Sequence, residues 1–215
     1  PENLIYEQTD SYDFSDKFRP LLKQTLRYDL LTGERYFYSY QYGKYGLPYI
    51  VTLGRPVGLR AIWQEVTTYT FSHTVSDTLY RLGTVVKEDF RKTKDGAPAS
   101  WNEVRTYQYD SRFLPVRETC STGRRTPYSA DLARVYDKVW TYDSSGNPLS
   151  EKQAVYNSTA YVGDTYTYGN DGRFMLTHTD ALGLTETYGD YNKFGKPETV
   201  TDSKNRTTTH SYDNW

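Results

Sequence analysis

Apolar and polar residues alternate along much of the chain, as in β-strands that have one packed face and one polar face. In the clearest stretch every second residue is a tyrosine: Tyr36, Tyr38, Tyr40 and Tyr42. Segments 65–75 and 79–90 alternate in the same way. Segment 19–26, "RPLLKQTL", fits a strand but also a short helix with Pro20 in its first turn. The pattern therefore predicts strands throughout, with one helical alternative.

A tyrosine followed four residues later by a glycine recurs in the second half of the chain. The complete copies are Tyr142 with Gly146, Tyr168 with Gly172, and Tyr191 with Gly195. Two partial copies flank them: Tyr109-Asp110, which has Phe113 in the glycine position, and Tyr212-Asp213, which is cut off before that position. A motif that returns every twenty to thirty residues or so indicates a repeat architecture.

Each copy predicts a β-hairpin. Alternation places Trp140 and Tyr142 on one face of the strand that leads into the turn. Asp143 can then accept hydrogen bonds from backbone N–H groups two residues on, as an Asx-turn. Gly146 supplies the positive φ that a type I turn followed by a bulge requires.

Further turns are predicted between the main ones. Segments 179–183, "TDALG", and 201–205, "TDSKN", lie 11 and 10 residues before the next anchor tyrosine. Gly183 and Asn205 hold matching positions in these segments, and both residue types tolerate the left-handed region. The main and intervening turns together predict a succession of short antiparallel strands.

The pattern predicts an all-β protein built from consecutive antiparallel hairpins. We assign 101–215 to the repeat hairpins and 1–100 to a less regular, tyrosine-rich strand region that continues the same sheet. The turn at 94–98, "KDGAP", is the predicted boundary. Because the chain lacks an initiator Met and stops within a repeat unit, we interpret it as a fragment of a longer protein, in which no signal peptide is visible.

Composition narrows the possible partners. The net charge is −1, from 26 basic and 27 acidic residues that are interspersed along the chain. No basic face of the kind that phosphate binding needs is visible, so we expect no nucleic-acid partner. No apolar run approaches the roughly 20 residues of a membrane span. Cys120 is the single cysteine, so the chain has no intramolecular disulfide.

The candidates for metal or catalytic chemistry are weak. Asp143, Ser145 and Asn147 follow the spacing of the first calcium ligands, but Pro148 and Ala154 stand where that loop needs Gly and Glu. His73, His178 and His210 form no zinc motif, and no phosphate-binding glycine loop occurs. We expect no metal, cofactor or catalytic residue, with Cys120 or a pair of His178 and Asp180 as the enzymatic alternative.

The tyrosine stripe leaves a binding alternative open. Aromatic faces stack on sugars, so exposed side chains such as Tyr38 and Tyr40 would suit a carbohydrate or cell-surface adhesion module. A tyrosine stripe on a strand is more often packed, with its hydroxyl groups hydrogen-bonded at the rim.

The repeated segments resemble the RHS or YD-repeat family, which is named for its Tyr-Asp dipeptide. The resemblance rests on "YQYDSRF", "WTYDSSGNPLSE", "YTYGNDGRFM", "YNKFGKPETVTD" and "HSYDNW". It covers 101–215 well, whereas 1–100 matches only in its tyrosine-rich strands. Phe113 in place of glycine, and Gly169 and Asn192 in place of Asp, depart from the pattern and put the regularity of the first turn in question.

The resemblance implies a fold and a role. In this family hairpins join edge to edge into an extended sheet that curves or spirals into a hollow shell. In bacterial RHS proteins and the B/C components of insecticidal Tc toxin complexes, the shell encloses a C-terminal toxic domain, and teneurins use a similar barrel for adhesion. The implied partners are other shell segments, the enclosed domain and other toxin-complex subunits, in a secreted or cell-surface setting. The family's self-cleaving protease segment has no counterpart here.

Overall fold

The computed structural model describes residues 6–14, 20–43, 45–57, 61–76, 79–94, 97–125 and 130–213. Within these ranges 15 strands form one sheet in which each strand is bonded to its neighbours in sequence, and the strands of each pair run antiparallel. The prediction of an all-β protein of consecutive antiparallel hairpins is confirmed. The strands are β1 (Tyr6–Asp13), β2 (Leu21–Asp29), β3 (Arg35–Tyr42), β4 (Pro48–Val57), β5 (Ala61–Val75), β6 (Tyr80–Lys94), β7 (Ala97–Tyr109), β8 (Pro115–Arg125), β9 (Ala130–Tyr142), β10 (Pro148–Ala154), β11 (Tyr161–Tyr168), β12 (Met175–Thr179), β13 (Thr185–Tyr191), β14 (Pro197–Thr201) and β15 (Thr207–Thr209).

The helical alternative for segment 19–26 is wrong, because residues 21–26 lie in β2; residue 19 lies outside the described residues. In β2, Thr25 pairs with Asp10 on one side and with Tyr38 on the other. The Thr25 hydroxyl donates a 2.7 Å hydrogen bond to Asp10 Oδ1. Neighbouring strands on both sides offer backbone partners that only an extended segment can use. Within the described ranges no helix is long and apolar enough to cross a membrane.

The chain divides into two compact units. Unit 1 comprises Pro1–Tyr107 and Thr119–Val135, and unit 2 comprises Gln108–Glu118 and Tyr136–Trp215. The predicted division between 1–100 and 101–215 stays a prediction, and the predicted boundary turn includes residues 95–96, which lie outside the described residues.

The two faces of the sheet in unit 2 differ in chemistry, because strand partners match residue for residue. One face carries rows of hydroxyl side chains, and one such row is Thr141, Ser150, Thr165, Thr179 and Thr185. Several cross-strand pairs are hydrogen-bonded through their hydroxyls: Thr141–Ser150 (2.7 Å), Thr167–Thr177 (2.6 Å), Thr179–Thr185 (2.8 Å) and Thr201–Thr207 (2.8 Å). The opposite face carries Trp140, Tyr166, His178 and Tyr188. Such pairs are the main stabilising contacts of a sheet.

Few side chains are fully covered. Among the described residues, Cys120 is the one buried apolar side chain. Asp137 is completely buried, and the Arg117 guanidinium donates to its two oxygens at 2.8 and 2.6 Å while the Tyr161 hydroxyl donates at 3.1 Å. The hydrogen bonds with Asp137 raise the pKa of Arg117 above its usual value. Backbone pairing, cross-strand contacts and turns therefore contribute more to this sheet than an apolar core does.

Candidate functional site

The chemistry that repeats in unit 2 lies in its hairpin turns. In five of them the N–H of the first residue donates to the carbonyl of the fifth, and the N–H of the fourth donates to the carbonyl of the first, at 2.9–3.2 Å. The turns are 110–114, 143–147, 180–184, 192–196 and 202–206. The fourth residue always has a positive φ: Phe113 (65°), Gly146 (91°), Gly183 (82°), Gly195 (76°) and Asn205 (59°). The turns at 180–184 and 202–206 thus share one geometry with the main ones.

The first side chain of each turn holds it closed. In every one of the five turns, one side-chain oxygen of the first residue accepts the N–H groups of the third and the fifth at 2.8–3.0 Å; the first residues are Asp110, Asp143, Asp180, Asn192 and Asp202. Asn192 does this with its amide oxygen, so a carboxylate is not required. In Asp143 the second oxygen accepts a 2.9 Å hydrogen bond from the Asn147 side-chain amide, so both carboxylate oxygens hold the turn.

Hydrogen bonding shifts the acid strength of these side chains. The side-chain amide and backbone N–H of Asn147 hold the pKa of Asp143 below its usual value. The backbone N–H and guanidinium of Arg206 do the same to the pKa of Asp202. Donors that favour the ionised carboxylate lower its pKa, so the closed turn and the charged side chain favour each other.

Besides the turn that begins with Asn192, two turns depart from the repeat in sequence. Phe113 occupies the glycine position at 110–114 yet adopts the left-handed conformation, and the turn keeps both backbone bonds at 2.9 Å. The turn at 169–174 is one residue longer and closes from the Gly169 N–H to the Phe174 carbonyl at 2.9 Å. Its Asp171 accepts the N–H of Arg173 at 3.1 Å. Phe113 therefore leaves the first turn regular, and the irregular turn is the one that begins with Gly169.

The anchor tyrosines end the strands that lead into the turns: Tyr109 ends β7, Tyr142 ends β9, Tyr168 ends β11 and Tyr191 ends β13. Three anchors donate their hydroxyl groups to the carbonyl that begins the neighbouring strand: Tyr142 to Pro115 (2.8 Å), Tyr191 to Met175, and Tyr212 to Pro197 (2.9 Å). Burial raises the pKa of Tyr142 and of Tyr191, so both remain neutral donors. We call this bond the tyrosine lock, because it ties the hairpin that follows such an anchor to the hairpin before it.

Successive main turns of unit 2 also touch one another. The Arg112 guanidinium donates to the Asp143 carbonyl at 2.6 Å, and the Asn147 side-chain amide donates to the Gly172 carbonyl at 2.7 Å. The Phe174 and Tyr191 rings stack with their centroids 4.6 Å apart. We call the turns 110–114, 143–147, 169–174 and 192–196 the turn stack.

Glycine in the turn stack serves close approach as well as conformation. A Cβ on Gly172 would lie 2.9 Å from Ser145 Oγ, closer than such atoms pack. A Cβ on Gly195 would lie 3.5 Å from Cε1 of Phe174, which is ordinary contact. At Gly195 the positive φ is therefore the requirement, whereas Gly172 combines a positive φ with a crowded position.

The structure describes both residues of the last predicted anchor pair, Tyr212 and Asp213, but not the whole turn after them. Tyr212 and Asp213 follow β15 and are exposed, and Tyr212 makes a tyrosine lock. The turn that Asp213 would start extends to residues outside the described ranges. Trp140 lies on the aromatic face of β9, opposite Glu151.

Sequence reasoning missed one copy, in unit 1. The turn 43–47 has the same two backbone bonds, from Gly43 N–H to the Leu47 carbonyl at 3.0 Å and from Gly46 N–H to the Gly43 carbonyl at 2.9 Å. Gly46 has a φ of 68°, and Tyr42 donates its hydroxyl to the Leu22 carbonyl at 2.7 Å. The signal was present: "YQYGKYGLP" (40–48) matches "YQYDSRFLP" (107–115) at Tyr, Gln, Tyr, Leu and Pro.

The residues considered for catalysis, Cys120, His178 and Asp180, are either buried or engaged in structural contacts. Cys120 is 3% exposed, so substrate has no access to its thiol. The His178 ring stacks on Tyr166 with centroids 5.1 Å apart, and its Nε2 lies 3.4 Å from Asp164 Oδ2. Asp180, the predicted partner of His178, accepts two backbone N–H groups within its own turn. The absence of catalysis stays a prediction.

The comparisons with known proteins bear on the fold. No family model and no curated protein matches the chain. Three solved structures are similar to it at 10% identity over 97% of its length: TcdB2-TccC3-Cdc42 (TM-score 0.70), TcdB2-TccC3-TEV (0.66) and TcdB2-TccC3 without the hypervariable C-terminal region (0.70). The chain has the fold of one segment of these proteins. It spans 14–15% of the length of the matched chains.

Proposed function

We propose that the chain is a non-catalytic structural segment of an RHS or YD-repeat shell that encloses a C-terminal toxic domain in a secreted bacterial toxin-delivery protein. The tyrosine lock carries this proposal. Each lock joins a new hairpin to the start of the preceding strand, so the sheet extends in chain order without a layered core. A wall that is one sheet thick needs this kind of stabilisation.

The likeness to segments of TcdB2-TccC3 structures supports the same proposal. The Tc components that the sequence resembles enclose their cargo, and a segment of such a wall needs no catalytic group of its own. Its expected partners are the neighbouring segments of the same shell, the enclosed domain and other toxin-complex subunits.

Protection of the enclosed domain tests the proposal. In the full natural protein, limited proteolysis should leave the domain C-terminal to this segment intact while the chain is native. Replacing Tyr191 and Gly195 together, Tyr191→Ala with Gly195→Val, removes a lock and a turn, and should expose that domain to cleavage.

The matched control is Tyr156→Ala, which removes a tyrosine that is 85% exposed in the loop after β10 and should leave protection unchanged. A full chain that has no domain beyond the repeats would contradict the proposal. So would a domain that is cleaved equally fast in the native protein and in the double variant.

A further inference from the structure

The far end of the β5–β6 hairpin in unit 1 is a two-stranded ribbon. Among the described residues, β4 pairs with β5 only as far as Thr68, and β6 pairs with β7 only from Lys87 onward. Beyond these pairs lie residues 71–76 and 79–85, which pair with each other. We call them the ribbon. Two strands without further neighbours are only marginally stable, so single contacts decide whether the ribbon stays closed.

The backbone pairing of the ribbon is interrupted at His73. The register of β5 against β6 shifts between Ser72 and Thr74. Gly83 lies in the interrupted stretch with a φ of 79°, and its N–H donates to His73 Nδ1 at 3.1 Å. The imidazole therefore replaces the backbone acceptor that the shifted register takes away.

His73 and Gly83 also hold the ribbon to the turn 43–47. The His73 ring meets the Tyr45 ring edge-on, with centroids 4.7 Å apart. A Cβ on Gly83 would lie 2.9 Å from Leu47 Cδ1, so the glycine backbone packs directly against that side chain. Because the bond to Nδ1 joins His73 to Gly83, one hydrogen bond keeps both contacts in place.

Only one protonation state of His73 can make this bond. A neutral imidazole has a nitrogen lone pair that accepts an N–H, whereas in the cation both nitrogens carry protons. After protonation the Nδ1–H group faces the N–H of Gly83, and the bond is lost. The His73 side chain is exposed, so protons reach it directly from solvent. The charge of histidine ordinarily changes between about pH 5 and 8.

The titratable and charged groups around the His73 ring come from the turn 43–47, from β5 and from β6: Tyr45, Tyr69, Tyr80, Arg81 and Glu88. Glu88 pairs with Tyr69, which is four residues, or about 13 Å, along the strand from His73. The Arg81 Nε group donates to Thr84 Oγ1 at 2.8 Å. Within the described ranges, no carboxylate is therefore placed to hold a charged His73 ring where it is.

We propose that His73 is a pH-sensitive latch. In its neutral form it holds the ribbon closed and against the turn 43–47, and its protonation releases the ribbon. The ribbon is closed at about pH 8 and open at about pH 5. Release frees a segment that already exposes apolar side chains, since Val75 is 58% and Tyr80 is 72% exposed. The proposal concerns unit 1 alone and is independent of the shell function.

Hydrogen exchange of the full natural chain, followed by mass spectrometry at pH 8 and pH 5, tests the latch. Rates are corrected for the effect of pH on the intrinsic exchange of amides. Protection in peptides that span 71–85 should fall about threefold or more at the lower pH, since one hydrogen bond is lost. Protection in β14 should stay the same. Unchanged protection of 71–85, or an equal fall in β14, would overturn the proposal.

Two variants separate the hydrogen bond from the ring contact. His73→Asn places an amide oxygen near the position of Nδ1, accepts the Gly83 N–H at either pH, and should keep the protection of the parent at pH 8. His73→Phe keeps a ring against Tyr45 but has no acceptor, and should show the protection of the parent at pH 5. Neither variant should respond to pH. A response to pH in either variant, or equal protection in the two, would overturn the proposal.

His210→Asn is the matched control in unit 2. His210 is also exposed and also contacts a tyrosine ring, with its centroid 6.3 Å from that of Tyr212. This variant should keep the response of 71–85 to pH that the parent shows. Loss of that response in the control would show that His73 is not the group that titrates, and would overturn the latch.

Discussion

Units 1 and 2 build the same kind of sheet with strands of different length. In unit 1, β5 and β6 run for 15 residues each, and their pairing shifts register at two places. In unit 2, β12 and β14 have five residues each and pair with β13 in continuous order, and β12 shifts register against β11 at one place, beside the turn that begins with Gly169. A long pair tolerates bulges because many other bonds hold it together, whereas a short pair depends on its turns for register. Regular turns are therefore needed most where strands are short.

The turn 43–47 refines this comparison. It lies in unit 1 between β3 and β4, yet it has the bonds, the positive φ and the tyrosine lock of the unit 2 turns. Its first residue, Gly43, has no side chain to accept the inner N–H groups. The lock and the backbone geometry are therefore separable from the Asx-turn, and variants that remove one element at a time can compare the two units.

Replacing a glycine by alanine should lower the free energy of unfolding most where the added Cβ would clash with its neighbours. A Cβ on Gly163 in unit 2 would lie 2.2 Å from the Glu151 backbone oxygen, whereas a Cβ on Gly54 in unit 1 would lie 1.9 Å from the Phe37 ring. A ring can rotate away and a paired backbone cannot. We expect Gly163→Ala to lower the free energy of unfolding by about 3 kcal/mol and Gly54→Ala by about 1–2 kcal/mol. Urea unfolding measures both, and the reverse order would contradict the assigned register.

Replacing a turn glycine by alanine should lower the free energy of unfolding by a smaller amount, and by the same amount in the two units. Gly146 (φ 91°) and Gly33 (φ 70°) are both left-handed, and an added Cβ would meet nothing closer than 3.6 Å at Gly146 and nothing within 4 Å at Gly33. Replacement by Ala then adds only the conformational cost, about 1–2 kcal/mol. The two glycines lie in turns of different length, which close at Glu34 and at Asn147. Equal losses in urea unfolding would therefore show that the left-handed conformation sets the cost in both units. A neutral Gly146→Ala would show that the turn is not left-handed there.

Removing a lock should cost about 1 kcal/mol, the net value of one hydrogen bond. Tyr142→Phe in unit 2 and Tyr42→Phe in unit 1 each delete one hydroxyl and keep the ring. Thermal unfolding should show a similar loss of stability for both variants. Tyr156→Phe, in which the ring is 85% exposed, is the control and should change nothing. A loss confined to Tyr142→Phe would restrict the lock to unit 2.

Lowering the pH should reduce the free energy of unfolding by a small amount, through one turn aspartate in each unit. The pKa of Asp143 is lowered first by the Asn147 side chain, and that of Asp29 by the Thr32 N–H. A lowered folded-state pKa adds stability above the unfolded value of about 3.9. That stability is lost as pH falls through the folded pKa. When the free energy of unfolding is measured from pH 5 to pH 2, it should fall less steeply in the Asp143→Asn and Asp29→Asn variants than in the parent. Unchanged slopes would contradict the ionised turns.

Local chemistry could be predicted from the sequence where one residue type dictates it. Asp143 and Gly146 have few roles open to them at that spacing, so the turn between β9 and β10 followed directly. Phe113 shows where such reasoning fails, because the bonds around it hold a residue in a conformation that its own preference disfavours. The copy at 43–47 was missed because Gly43 stands where the other copies have Asp110 or Asp143.

Contacts between strands needed the structure. The hydroxyl rows that join Thr179 to Thr185 and Thr201 to Thr207 depend on register, which a threonine-rich composition does not specify. The hydrogen bond between His73 and Gly83 likewise depends on a shift of register between β5 and β6. The buried Asp137 and its ion-pair partner Arg117 are 20 positions apart in sequence, and no local pattern predicts their contact.

Hydrogen exchange in the Tyr191→Ala variant tests the central claim most directly, namely that a tyrosine lock ties a hairpin of unit 2 to the one before it. Mass spectrometry would follow exchange along the chain in the variant and the parent. The account predicts faster exchange across 175–209, which spans β12 to β15, and unchanged protection in β5 and β6. Equal loss of protection in both units, or no loss in either, would contradict it.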